Sequence, residues 1–316
     1  MIQISKDKAD YDAIVNTHYL PIFYQPAWLD LVCGQSHWEV ILAFWGNDPV
    51  AVFPYYTVNK YGIKQIRMPP LTPYLGLFLI GHFDGLKTHT QLSTKKQIYK
   101  KVTENLPDVF YRTFSFHYQI VNWQPFYWEG FKQTTLYTSI LSDLSDVDAV
   151  FQNFSRNVRR NIRKAENTLV VSTLTSPDKI IPVIRESEKS RGFSMQLSDD
   201  FLEKLISLLT TRGWGTVFAA IDHEDIIHSI AVLPWDQKSS YYLINANTRE
   251  AENSGAGFLL TWEAIKHTSE QSINTFDFCG SMLESIQDVR IQFGAQPVAR
   301  SKIFKFKYRL FNVLRY

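Results

Sequence analysis

Cysteine is nearly absent from this chain. Two residues in 316, Cys33 and Cys279, cannot build a disulfide framework, so a reducing, cytoplasmic setting is expected. Long apolar runs are missing as well. The stretch LGLFLI at 75–80 has the length of a strand, and no transmembrane segment is expected. The opening residues, MIQISKDKADYDAI, hold no apolar core of a signal peptide. Histidines number eight, and His223 and His228 lie five apart around a turn, which is not a ligand spacing, so no metal is expected. Net charge is small, +2, which argues against general polyanion affinity and against DNA as a partner.

Apolar residues make up 45% of the chain and aromatics 15%, which supports a full core and excludes disorder. The charges are unevenly placed. Residues 156–164 carry five cations and no acid, and residues 300–316 carry six and no acid. Elsewhere 22 basic side chains face 31 acidic ones. Cations focused on two segments point to anionic ligands.

The stretch 241–281, SYYLINANTREAENSGAGFLLTWEAIKHTSEQSINTFDFCGS when Ser240 is included, organises the reading. Tyr241 to Ala246 alternates like a strand. A small-residue turn, Ser254-Gly255-Ala256-Gly257, precedes an amphipathic helix from Phe258 to about Glu270, and Thr275 to Cys279 reads as a second, parallel strand. Helix N-termini present unpaired N–H groups and a positive dipole end, which favours an anion there. Glycine lets a phosphate approach the backbone, or serves only to shape the turn.

The halves share an order of helix, hairpin, strand, helix, strand. In the first, Tyr24–Val32 is a helix, Val40–Trp45 and Val50–Tyr56 form a hairpin, Thr90–Asn105 is a helix with Leu92, Ile98 and Val102 inward, and Thr113–Val121 is a strand. In the second, a helix at Phe201–Leu209 and strands at Thr216–Ile221 and Ile226–Leu233 precede the 241–281 unit. Phe114-Ser115-Phe116 parallels Phe276-Asp277-Phe278. This predicts a diverged duplication in an α/β (α+β) chain, with domains at 1–145 and 146–316. The first copy has Asp84-Gly85-Leu86-Lys87 where the second has its Ser-Gly-Ala-Gly turn, so a cofactor is expected in the second.

In Ser155 to Asn167, Phe154, Val158, Ile162 and Ala165 share one helical face and the arginines the other. The helix is either a solvated surface or a contact for phosphate or nucleic acid. The run Lys302 to Arg309 alternates aromatic and basic residues. It reads as a strand offering a row of cations, or as an edge guarded by lysines.

The segments FSRNVRRNIRKAEN (154–167), ENSGAGFLLTWEAI (252–265), FDFCGSMLESI (276–286) and FGAQPVARSKIFKFK (293–307), with QPAWLDLV (25–32) and PPLTPYLG (69–76), resemble the FemABX-like and BioF2-like branch of the GNAT acyltransferase superfamily. The resemblance implies two tandem GNAT-like domains, each a mixed sheet flanked by helices, and a transferase activity. It implies that Tyr241–Asn245 and Thr275–Cys279 splay apart around a thioester's pantetheine arm, with Leu243 and Asn245 beside the arm and Ser254, Gly255, Ala256 and Gly257 under the pyrophosphate. The family's phosphate pattern usually begins with Gln or Arg two residues before its first Gly; this chain has Asn253. The donor is then acyl-CoA (acetyl-CoA), or aminoacyl-tRNA as in the Fem relatives. The acceptor is an amine, with a cell-wall precursor peptide as one case.

Asp277 and Ser281, on or just after the second strand, are the candidate catalytic residues; Asp277 is either a general base or a structural carboxylate. Thr72 and Tyr74 in the proline-fixed loop, with Arg159, Arg163 and Lys305, are candidate substrate contacts. The competing classes are an RNA-binding protein using the basic helix and an inactive scaffold of the same fold.

Overall fold

The computed structural model describes residues 1–81, 83 and 85–308. Asp84 and Arg309, both used above, lie outside the described residues. The strands are β1 (Ile2–Ser5), β2 (Trp38–Trp45), β3 (Asp48–Lys60), β4 (Ile63–Arg67), β5 (Phe78–Leu79), β6 (Tyr111–Ser115), β7 (Lys132–Ser142), β8 (Leu169–Leu174), β9 (Gly215–Asp222), β10 (Ile227–Pro234), β11 (Ser239–Tyr241), β12 (Ile244–Asn247), β13 (Thr275–Asp277) and β14 (Gln296–Phe306). The helices are α1 (Lys8–Thr17), α2 (Pro26–Cys33), α3 (Thr88–Asn105), α4 (Gln124–Trp128), α5 (Val147–Asn153), α6 (Arg156–Glu166), α7 (Pro177–Ser190), α8 (Asp199–Arg212), α9 (Ala256–Glu270) and α10 (Glu284–Gln292).

Two compact units result: Met1–Leu136 with the segment from Ala299 onward, and Tyr137–Val298. The division differs from one at 145/146 because the C-terminal strand returns to the first unit. Lys302 to Phe306 of β14 pair antiparallel with Ser115 to Tyr111 of β6, and Ile303 is buried in the first unit's core. Alternation in the sequence marks a strand but carries no address for its sheet.

The first unit's strands run β1-β2-β3-β4-β6-β14, with β5 on β3. β4 and β6 are parallel; the other pairs described are antiparallel. Helix α3 turns Thr94, Ile98 and Val102 inward, four residues apart. Leu92, expected inward, is 53% exposed. It precedes Thr94 by two positions and so points about 200° round the helix from it. The strand expected to reach Val121 stops at Ser115.

Just beyond it, His117 is buried, its ring 4.0 Å from Tyr118 and 4.9 Å from Tyr74. Burial pushes its pKa down to about 3. Native His117 therefore stays neutral while the unfolded chain takes up a proton below about pH 6.5. This group makes no difference to stability above that pH. Below it the native state loses about 1.4 kcal/mol per pH unit until the folded pKa is reached. A urea midpoint series between pH 7 and 5 should show this slope, and His117→Phe should flatten it.

The second unit holds β7-β13-β11 and the four strands β12-β10-β9-β8. Ser155 caps α6 by accepting from Val158 N at 3.2 Å. Val158, Ile162 and Ala165 are buried, and Arg156, Arg160 and Arg163 face solvent. Helix α9 buries Leu259, Leu260, Trp262 and Ile265 in a core with Phe154, Phe276, Phe278 and Phe293. Each such side chain contributes about 1.5–3 kcal/mol by leaving water. This core fixes the start of α9, on which the site below depends.

Candidate active site

The run expected as one strand, Tyr241–Ala246, is two strands in two sheets. β11 pairs in parallel with β13, from Ser239↔Thr275 to Tyr241↔Asp277. Tyr242 N donates to Asp277 O at 2.8 Å, and there the pairing stops. Leu243 N donates instead to Val232 O at 3.1 Å, and β12 continues antiparallel on β10. β13 ends because Cys279 and Gly280 both turn left-handed, with φ of 60° and 69°. The two chains splay, and β12, at the end of its sheet, has no strand on its outer edge, where Asn247 N donates to Ser187 Oγ at 3.1 Å and Arg191 Nη1 lies 3.5 Å from Asn245 O.

A cavity of about 940 Å³ opens at the splay. Tyr242 to Asn247 form one wall and Phe278 to Ser281 another, and Gly255 to Phe258 also line it. Leu243 and Asn245 both line it.

The turn before α9 divides its labour differently from expectation. Ser254 does not line the cavity; its Oγ accepts from Ala256 N at 3.2 Å and donates to Ala251 O. Gly255 has φ +80°, and a Cβ there would lie 2.7 Å from Asn161 O on α6. Its missing side chain makes room for the neighbouring helix rather than for a ligand. Phe258 N and Leu259 N both donate to Gly255 O at 3.0 Å. The N–H groups of Gly255 and Gly257 have no partner among the described residues, and of the two glycines it is Gly255 that packs on α6. A Cβ on Gly257 would meet nothing closer than Asn247 Oδ1 at 3.8 Å. The amide open to an anion is therefore that of Gly257, at the positive end of α9. Arg191, also on the cavity wall, adds a cation.

Tyr242 stands at the point of divergence. Asn245 Nδ2 donates to its hydroxyl at 3.0 Å, and Thr261 Oγ1 lies 3.2 Å away. Burial pushes its pKa up to about 12, so it is a neutral phenol held in place. Such a group can donate to a developing oxyanion or a leaving thiolate.

Asp277 is fully buried and does not line the cavity. Its carboxylate accepts from Thr138 Oγ1 and from Cys279 N, the latter at 2.8 Å. It fixes the turn that ends β13. Ser281 does line the cavity, and its Oγ accepts from Leu283 N at 3.1 Å. Among the described residues the walls hold no histidine. Their one carboxylate, Glu188, accepts from Arg185 Nη1 at 2.8 Å and Met195 N at 2.7 Å. Burial opposes its charge, but the Met195 amide and Arg185 outweigh it and hold the carboxyl below its usual range.

The other candidates have partners or places away from this cavity. Arg159 Nη1 donates to Gln152 O and Oε1, at 3.0 and 2.9 Å. Arg163 is exposed on α6, whose contribution to the cavity is Asn161. Lys305 donates to Glu129 O and lies 5.6 Å from the Phe131 ring centre. Thr72 accepts from Trp28 Nε1 at 3.1 Å and donates to Pro70 O. Tyr74 is fully buried against Phe23, His117 and Arg300. Nothing in the sequence marks Tyr242, Arg191 or Asn161 as cavity residues. The switch of sheets breaks the period-two alternation, and with it any inference about which side chains face the gap. Among the described residues no group of three or more His, Cys, Asp and Glu side chains is arranged to hold a metal ion.

The comparison with known families now decides the second unit. Residues 152–284 match the acetyltransferase (GNAT) domain family. The second unit carries a GNAT domain. No curated protein sequence matches the chain. Among solved structures, FemX superposes with a TM-score of 0.72 at 13% identity, over 100% of both chains. A tandem GNAT protein from the clavulanic acid biosynthesis pathway gives 0.53 at 10% identity, over 98% of this chain and 99% of that one. The C-terminal domain of a putative lysylphosphatidylglycerol synthetase from Agrobacterium fabrum gives 0.56 at 11%, over 94% and 90%. The chain has the fold of tandem GNAT proteins and resembles the FemABX-like branch. Its GNAT domain places it among acyl-transferring folds, and no described helix is long and apolar enough to cross a membrane.

Proposed function

We propose that this chain is an N-acyltransferase that takes its acyl group from a coenzyme A thioester and passes it to an amine. The observation that carries this is the cavity at the splay of β12 and β13, with the free Gly257 amide on its lining. The arm of a thioester would lie along the outer edge of β12, which no other strand covers, and its pyrophosphate would meet Gly257 N–H, the α9 dipole and Arg191. The amine nitrogen attacks the carbonyl carbon, the C–N bond forms, the C–S bond breaks, and the amine's proton leaves to solvent. Tyr242 OH is the donor to the oxyanion or the departing thiolate. Asp277 positions the 278–281 turn, and Ser281 Oγ is a wall contact. FemX and the lysylphosphatidylglycerol synthetase domain share the fold; the amine of a cell-wall precursor peptide is one case of the acceptor, and aminoacyl-tRNA is the alternative donor. Neither Arg159 nor Arg163, the candidate substrate contacts on the basic helix, lines the cavity, and we favour the thioester as donor.

A thermal melt tests the reading. Coenzyme A or acetyl-CoA at about 100 times its Kd should stabilise the native state by about 2.7 kcal/mol, a rise in Tm of about 5–10 °C. A shift with tRNA alone moves the assignment to the aminoacyl donor or to RNA binding. No shift with coenzyme A, acetyl-CoA or tRNA leaves the inactive scaffold.

A further inference from the structure

Helix α10 buries none of its residues, although it carries Ile286, Val289 and Ile291. Ile286 and Val289, with Leu283 before the helix and Phe293 after it, recur three or four positions apart and so share a face. All four line the cavity, as do Phe193 and Met195 on the loop between α7 and α8. Leu283 is 63% exposed, Phe193 62%, Val289 41% and Ile286 38%. Several large apolar side chains open to water around one cavity are accounted for when a ligand covers them.

The charges on the same walls narrow that ligand. The cations are Arg191 and Arg290, and the one carboxylate, Glu188, is engaged by Arg185 and Met195 N. A cargo that itself carries a protonated amine gains no counter-charge here. An uncharged alkyl chain attached to an anionic carrier satisfies both features, with phosphates at the cations and the chain on the apolar rim.

We propose that the cargo is a medium- or long-chain acyl group, whose alkyl tail lies against Leu283, Ile286, Val289 and Phe193. This rests on the thioester reading above. The wild-type chain is titrated calorimetrically with coenzyme A, acetyl-CoA, hexanoyl-CoA and decanoyl-CoA. Affinity should rise with each lengthening, by at least about tenfold from acetyl to decanoyl. Ile286→Asp and Val289→Asp should each reduce that ratio severalfold. Met282→Asp, at an exposed position that does not line the cavity, should keep it. Equal affinity for acetyl-CoA and decanoyl-CoA overturns the long-chain cargo and leaves the thioester reading standing. A chain-length dependence that survives both cavity substitutions overturns the rim as its seat. Failure to bind coenzyme A or any of its thioesters overturns the thioester reading itself.

Discussion

A Gly255→Val variant is expected to lose about 3 kcal/mol or more of stability and, with it, its donor binding. Two costs add. Backbone at φ +80° is unfavourable for any L side chain and worst for a β-branched one. The new Cβ would also stand 2.7 Å from Asn161 O, a main-chain atom of α6 that cannot swing aside. Relief requires α9 and α6 to move apart, which shifts the Gly257 amide. Gly257→Ala is the contrast: its Cβ enters open space, so the fold should stand while affinity for coenzyme A falls. Urea unfolding and a calorimetric titration of both variants check this. If Gly255→Val were as stable as the parent, the close approach of the two helices would not be what demands glycine.

Asp277 and Tyr242 should separate stability from turnover. Asp277→Ala removes the acceptor for Thr138 Oγ1 and Cys279 N inside a buried site, with a loss of about 2–4 kcal/mol. Asp277→Asn should unfold at lower urea than the parent yet keep the pH profile of kcat, because the carboxylate does not reach the cavity. Tyr242→Phe should do the reverse, lowering kcat about 100-fold with little change in the melt. Loss of a limb of the kcat profile in Asp277→Asn would restore Asp277 as a general base.

Much of this architecture is written in local patterns. The apolar stripe of α6, the start of α9 and the parallel strand at Thr275 follow from helical and strand periodicity. Both glycines of the Ser-Gly-Ala-Gly turn matter, but for opposite reasons, and only the position of α6 distinguishes them. The break after Tyr241 is illegible because Tyr241 to Ile244 form one unbroken apolar run with no glycine or proline to mark it, while the change of partner from β13 to β10 is decided by tertiary pairing. Arg159 and Lys305 show the same limit. A cation's partner can be a backbone carbonyl that no charge pattern reveals.

The return of β14 to the first unit sets a timetable for synthesis. A ribosome releases residues 1–136 before it makes the strand that Ile303 anchors, with all of residues 137–298 in between. Residues 137–298 are then free to collapse before the older unit is closed. Until residues 302–306 have been made, the flank of β6 that they pair with stays open.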